Sequence, residues 1–152
     1  MSQPTWCFED FEAGHCFEVG SITVDAAEVH DFATRYDPQP FHVDPAAAAN
    51  SIFGGVIASG WHTCSMMMRL VVDNYLRDST SMGSPGIDEV RWLKPVRPGD
   101  VLRVTSTVLD VVPSKSKPDR GVINTLWEAH NQHGELAVTI KGRGLFLRRS
   151  PV

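Results

Sequence analysis

The sequence predicts an α+β fold, a single antiparallel sheet wrapped around one apolar helix, and three observations carry that prediction. The most apolar stretch, 61–76 (WHTCSMMMRLVVDNYL), has the length of a helix and almost no polar face. From residue 86 onward the chain becomes runs of β-branched and aromatic residues separated by Gly, Pro and Asn turn signals. One more run of that kind, 15–24, precedes the helices, so the order is strand, helices, strands. With 152 residues and 42% hydrophobic content, the chain has enough material for one core, expected as one domain over 1–152.

Residues 1–14 read as an irregular lead-in whose Trp6, Phe8 and Phe11 cap an edge of the core. The strand over 15–24 carries Gly20 as a bulge position. Over 25–36 a helix is expected, with Asp25 as N-cap, Glu28 at capping-box spacing, and Ala26, Val29, Phe32 and Ala33 on one face. Asp37 precedes Pro38, and a residue before proline is pushed out of the helical region. The helix therefore stops near Tyr36 and leaves Asp37 at its end. Pro38 and Pro40 fix two φ angles and remove two N–H donors, which makes the run to His42 a stiff turn. Asp44-Pro45 is an N-cap followed by proline at the first position of a short helix over 45–50. A glycine-rich loop (FGGVIASG) leads into the apolar helix, which at roughly 16 residues spans about 24 Å, enough to cross a sheet. A loop over 79–85 precedes four strands near 87–96, 101–112, 121–131 and 136–148, expected as a meander with turns at 97–100 and 132–135.

Composition excludes several function classes. A net charge of −4 argues against general nucleic-acid binding. Three cysteines, Cys7, Cys16 and Cys64, show no CxxC or Cys/His ligand spacing and read as reduced thiols of a cytoplasmic protein. His15, His30, His130 and His133 have no companions that would make a metal site. Residues 1–14 carry Glu9, Asp10 and Glu12 and no basic start, unlike a secretory leader. The helix over 61–76 contains Arg69 and Asp73 and is too short and too charged to span a bilayer. No membrane or nucleic-acid partner is expected.

The chemistry concentrates between the first two helices. Asp37 and His42 place a carboxylate and an imidazole five residues apart on a proline-braced turn, a sensible acid/base pair. Each has a plainer reading: Asp37 as a turn residue and His42 as a core histidine between Phe41 and Val43. Asp44 is explained by capping. Ser59 reads as the N-cap of the apolar helix, with substrate contact as the alternative, and His62 as a structural histidine one turn in. Met66, Met67 and Met68 read as core filler, or as the wall of an adaptable apolar pocket.

The segment Asp37-Pro38-Gln39-Pro40-Phe41-His42-Val43-Asp44 resembles the D-x-N-P-x-H-x-D signature of the MaoC-like (R)-specific enoyl-CoA hydratase/dehydratase family, whose fold is the hot dog. The resemblance runs from about Val24 to Leu147, through Gly60 at the start of the apolar helix and Trp92-Leu93-Lys94-Pro95-Val96-Arg97-Pro98-Gly99-Asp100. Gln39 departs from the family's asparagine. The resemblance implies reversible addition of water to a 2-enoyl-CoA, giving the (R)-3-hydroxyacyl thioester, with Asp37 and His42 holding one catalytic water. It implies that the enolate oxygen meets the backbone N–H groups of Gly60 and Trp61, with Gln39 and Ser59 beside them. It also implies a homodimer, and neither metal nor redox cofactor. Coenzyme A carries phosphates, for which Lys115 and Lys117 in the loop PSKSKPDRG are candidates; a solvated hairpin is the other reading of that loop. Two rival activities remain: an acyl-CoA thioesterase, and a catalytically silent thioester-binding subunit.

Overall fold

A computed structural model describes residues 5–150, so the lead-in expected over 1–14 and the domain expected over 1–152 both extend beyond the described residues. Five strands form one antiparallel sheet: β1 (Cys16–Thr23), β2 (Gly86–Trp92), β3 (Val101–Pro113), β4 (Arg120–His130) and β5 (Leu136–Leu147), in the order β1-β3-β4-β5-β2. Four helices precede β2: α1 (Ala26–Tyr36), α2 (Pro40–Val43), α3 (Pro45–Ala49) and α4 (Gly60–Val71). The sheet wraps α4, which is the hot-dog arrangement.

The expected four-strand meander holds only for β3, β4 and β5. β2 is an edge strand paired with β5, with Trp92 opposite Val138, and it does not touch β3. Pro95 and Pro98 lack the N–H groups that a hairpin ladder needs. The segment after Trp92 is instead tied first to β5, through Leu93 and Lys94 N–H donating to the Ala137 carbonyl. It then crosses the end of the sheet to start β3 beside β1, where Val24 N–H donates to Asp100 O at 2.8 Å. The bulge expected at Gly20 is present as a register shift between Glu18 and Gly20, with Gly20 at φ +151°.

Local chemistry sets the helix ends. Asp25 Oδ2 accepts from Glu28 N–H at 3.0 Å and starts α1. At the other end Asp37, at φ −154° and ψ 64°, has left the helix, as the residue before Pro38 must. In the stiff run expected from Pro38 to His42 a single helical turn, α2, opens at Pro40. Asp44 Oδ1 then accepts from Ala46 N–H at 3.0 Å and Ala47 N–H at 3.2 Å, capping α3. Asp44→Ala removes that cap and is expected to cost about 1 kcal/mol, lowering Tm by about 2–4 °C in thermal unfolding. Turnover measured well below Tm is expected to stay near that of the wild type.

The apolar helix is not buried all round. Met66, Met67 and Val71 lie in the core with Val104, Leu102, Val138 and Ile140 from the sheet. Each such side chain contributes roughly 1.5–3 kcal/mol by leaving water. Trp61 and Met68 lie on the opposite side and are exposed. Beyond α4 the chain continues as a π-helical turn, Val72–Leu76, which brings Tyr75 into the core. Among the described residues, no helix is long and apolar enough to cross a membrane.

Candidate active site

α1, α2 and the loop before α4 bring Asp37, Gln39, His42 and Ser59 together. α2 turns the chain back on itself, so the His42 ring returns to the end of α1: its Nε2 lies 3.2 Å from Asp37 Oδ2. The other ring nitrogen is committed. Nδ1 lies 2.7 Å from the Ile57 carbonyl oxygen, which can only accept, so Nδ1 carries a proton and donates. Nε2 is therefore the nitrogen free to carry or release a working proton. Ile57 is held in turn by its own N–H donating to the Phe41 carbonyl at 3.1 Å, which locks the loop to α2. His42 is 4% exposed and Asp37 18%, so the pair is sheltered, with the carboxylate on the open side.

Both Asp37 oxygens accept hydrogen bonds. Gln39 Nε2 donates to Oδ1 at 2.7 Å and Ser59 Oγ donates to Oδ2 at 2.7 Å. Burial raises the Asp37 pKa, but the two donors and the adjacent His42 imidazole outweigh it and hold the carboxyl below the ordinary aspartate value. The group is an anion at neutral pH, as a base must be. Gln39 thus makes a contact directly to the carboxylate with its longer amide. Ser59 stands at the N-cap position of α4, yet its hydroxyl goes to Asp37 and not to the helix. The first N–H groups of α4, those of Gly60 and Trp61, have no partner one turn back along the helix. They sit at the positive end of the helix dipole, suited to a developing negative charge.

Asp37, Gln39, His42 and Gly60 line one open cavity of about 390 Å³, shared with Phe53, Trp61, Trp92 and Lys94. Trp92 forms its wall against α4: a Cβ built on Gly60 would lie 2.5 Å from the indole, so only glycine fits beneath that ring. Burial pushes up the pKa of the Cys64 thiol one turn further along α4. Trp61 meets Trp92 edge-on at 5.3 Å. A separate, apolar cavity of about 160 Å³ between Met68, Tyr75, Trp127 and Ile140 shares no lining residue with the first.

Lys115 and Lys117 are exposed in the β3–β4 hairpin and do not line the Asp37 cavity. His62 is buried, stacked on Phe32 with ring centroids 4.9 Å apart, and its Nε2 lies 3.9 Å from Glu28 Oε1. Burial keeps its pKa below the usual histidine value. Among the described residues no group of three or more His, Cys, Asp or Glu side chains is placed to hold a metal ion. Sequence reasoning missed the Ile57 carbonyl, for which no sequence signal exists because a main-chain acceptor leaves none. It also missed Trp92, whose place in the motif from Trp92 to Asp100 was a usable signal.

Several known proteins are similar to this chain. A MaoC-like dehydratase from Rhodospirillum rubrum superposes with a TM-score of 0.85 at 40% identity, over 95% of this chain and 98% of that one. An (R)-hydratase from A. caviae involved in PHA biosynthesis superposes with a TM-score of 0.72 at 28% identity, over 91% and 98%. The 3-hydroxyacyl-thioester dehydratase Z of Mycobacterium tuberculosis is 35% identical over 92 residues, 59% of this chain and 61% of that protein. The profile of the MaoC like domain matches residues 12–128, which span β1, all four helices and the Asp37–His42 pair, and the chain belongs to that family.

Proposed function

We propose that the protein adds water reversibly to the C2=C3 bond of a 2-enoyl thioester, giving the (R)-3-hydroxyacyl thioester. The observation that carries this reading is the Asp37–His42 pair, with His42 Nδ1–H spent on Ile57 and Nε2 turned toward an anionic carboxylate. A carboxylate that can take a proton and an imidazole Nε2 that carries one, beside unpaired helix N–H groups, suit a water held next to a polarised thioester. Asp37 takes a proton from that water as its oxygen attacks C3. The charge moves to the thioester oxygen, which Gly60 and Trp61 N–H groups receive, and His42 Nε2 delivers a proton to C2. One proton leaves water and one reaches carbon, so the pair returns to its starting state after exchanging a proton internally. No step calls for a metal or redox cofactor.

The purified protein, assayed on short, long and branched enoyl-CoA substrates, is expected to abolish the conjugated double bond without releasing free thiol. Thiol release in place of double-bond loss would establish the thioesterase reading, and inactivity on every substrate would establish the silent-subunit one.

The same reading includes a homodimer. β2 is an edge strand with open hydrogen-bonding groups, and Ile87, Trp92 and Leu93 are exposed on or beside it. Trp61 and Met68 add apolar surface on the outer side of α4. A two-fold axis beside β2 would cover both at once. Sedimentation at micromolar concentration is expected to give twice the chain's 16.8 kDa mass, and a fully active monomer would refute the dimer.

A further inference from the structure

We propose that Lys94 anchors a phosphate of the carrier that delivers the thioester, and that Glu135 holds Lys94 in readiness when no carrier is bound. The inference rests on the thioester reading above. The chain as a whole is acidic, at −4, so an anionic carrier gains nothing from the general field and needs a local cation. Lys94 is the only lysine or arginine among the residues lining the Asp37 cavity. Arg97, three residues on, is already used, with Nη2 donating to the Phe53 carbonyl at 2.6 Å.

The geometry of the Lys94 pair suits a partner exchange. Lys94 Nζ lies 2.8 Å from Glu135 Oε2, with the two side chains 48% and 40% exposed. Such half-exposed pairs contribute little net stability, so giving one up costs little. The two halves differ in freedom. Glu135 is pinned in the β4–β5 turn: its Oε1 accepts from Asn131 Nδ2 at 3.0 Å, and its backbone N–H donates to Asn131 Oδ1 at 3.1 Å. Lys94 is fixed only at its backbone, through N–H to Ala137 O at 3.2 Å, and ends in a flexible four-carbon stem. The ammonium can therefore swing from a fixed carboxylate to a more highly charged phosphate, which lysine binds as a point charge. Lys115 and Lys117 sit beyond the Arg120↔Leu147 end of the sheet, whereas Trp92 pairs with Val138 at the other end. The two ends are roughly 30 Å apart along β5 at about 3.3 Å per residue, too far for one chain's hairpin to serve its own cavity.

The test compares KM for one acyl group on three carriers: coenzyme A, an acyl carrier protein, and N-acetylcysteamine, which has no phosphate. Lys94→Ala is expected to raise KM about tenfold on a phosphate-bearing carrier with kcat unchanged, and Glu135→Gln to lower it about threefold. Neither should move KM for the N-acetylcysteamine thioester. A loss on both phosphate carriers identifies the phosphopantetheine phosphate they share, and a loss on coenzyme A alone identifies a phosphate of its nucleotide. Equal shifts on all three substrates, or no shift on either phosphate carrier, overturn the proposal. Should the wild type turn over no thioester, calorimetry with free coenzyme A separates the two ideas. Weaker binding by Lys94→Ala and tighter binding by Glu135→Gln uphold the anchor without the hydration, and equal Kd values in all three proteins refute it.

Discussion

Asp37→Asn is expected to lower kcat by about 10²-fold or more while leaving thioester binding nearly unchanged. The asparagine keeps the shape and can still accept the Gln39 donor. Its amide can donate to Ser59 Oγ, because a hydroxyl both gives and receives. What it loses is the ability to take a proton from water at neutral pH, an interaction needed only in the transition state, so the loss falls on kcat and not on KM. His42→Ala removes Nε2 and opens a void next to Ile57, with a comparable loss in kcat and an added stability cost. If the two residues serve one water, the double variant is little worse than the worse single one. The pH profile gives a second reading. Because the Asp37 pKa is depressed in the folded protein, both its activity and the stability it contributes persist above the ordinary carboxylate range. Each is lost only as pH falls through that lowered value. Asp37→Asn should erase this acidic limb, and an Asn variant that hydrates like the wild type would remove Asp37 from the role of base.

The legibility of this site follows the range of the interactions that build it. Asp37 at the end of α1 was readable because Pro38 acts on its immediate neighbour, and Asp44 because a cap reaches only two or three residues forward. Ser59 was placed correctly at the start of α4, but its hydroxyl goes to Asp37, twenty-two positions earlier in the chain, a choice no local rule anticipates. The same limit explains β2. Its strand character was visible in alternation and composition, whereas its place beside β5 depends on where 93–100 crosses the sheet. The apolar run 61–76 announced a central helix but not that one side, with Trp61 and Met68, stays uncovered in a single chain. Periodicity reports which residues avoid water, not whether a sheet or a second copy covers them.

Gly60→Ala tests the other half of the mechanism and is expected to damage both stability and turnover. A Cβ at residue 60 would lie 2.5 Å from Trp92 Cε2 and Nε1, closer than real Cβ atoms come, so the half-exposed indole has to shift. Trp61 meets it edge-on at 5.3 Å. Overpacking of this kind costs about 1–3 kcal/mol, or roughly 2–10 °C in Tm at this chain length. The effect on kcat should be larger, about 10²–10³-fold, the usual cost of losing one oxyanion donor. On the hydration reading the thioester oxygen approaches the Gly60 N–H, where an added methyl would crowd it, and a displaced Trp92 would reshape the same cavity. Adding Trp92→Leu to Gly60→Ala separates the two causes. Removing the ring relieves the clash, so Tm should recover most of its loss. Turnover should stay low if the methyl itself crowds the approach to the N–H at the start of α4. Full recovery of kcat in the double variant would mean that the ring's displacement caused the defect, and wild-type turnover in Gly60→Ala alone would move the oxyanion site away from residue 60.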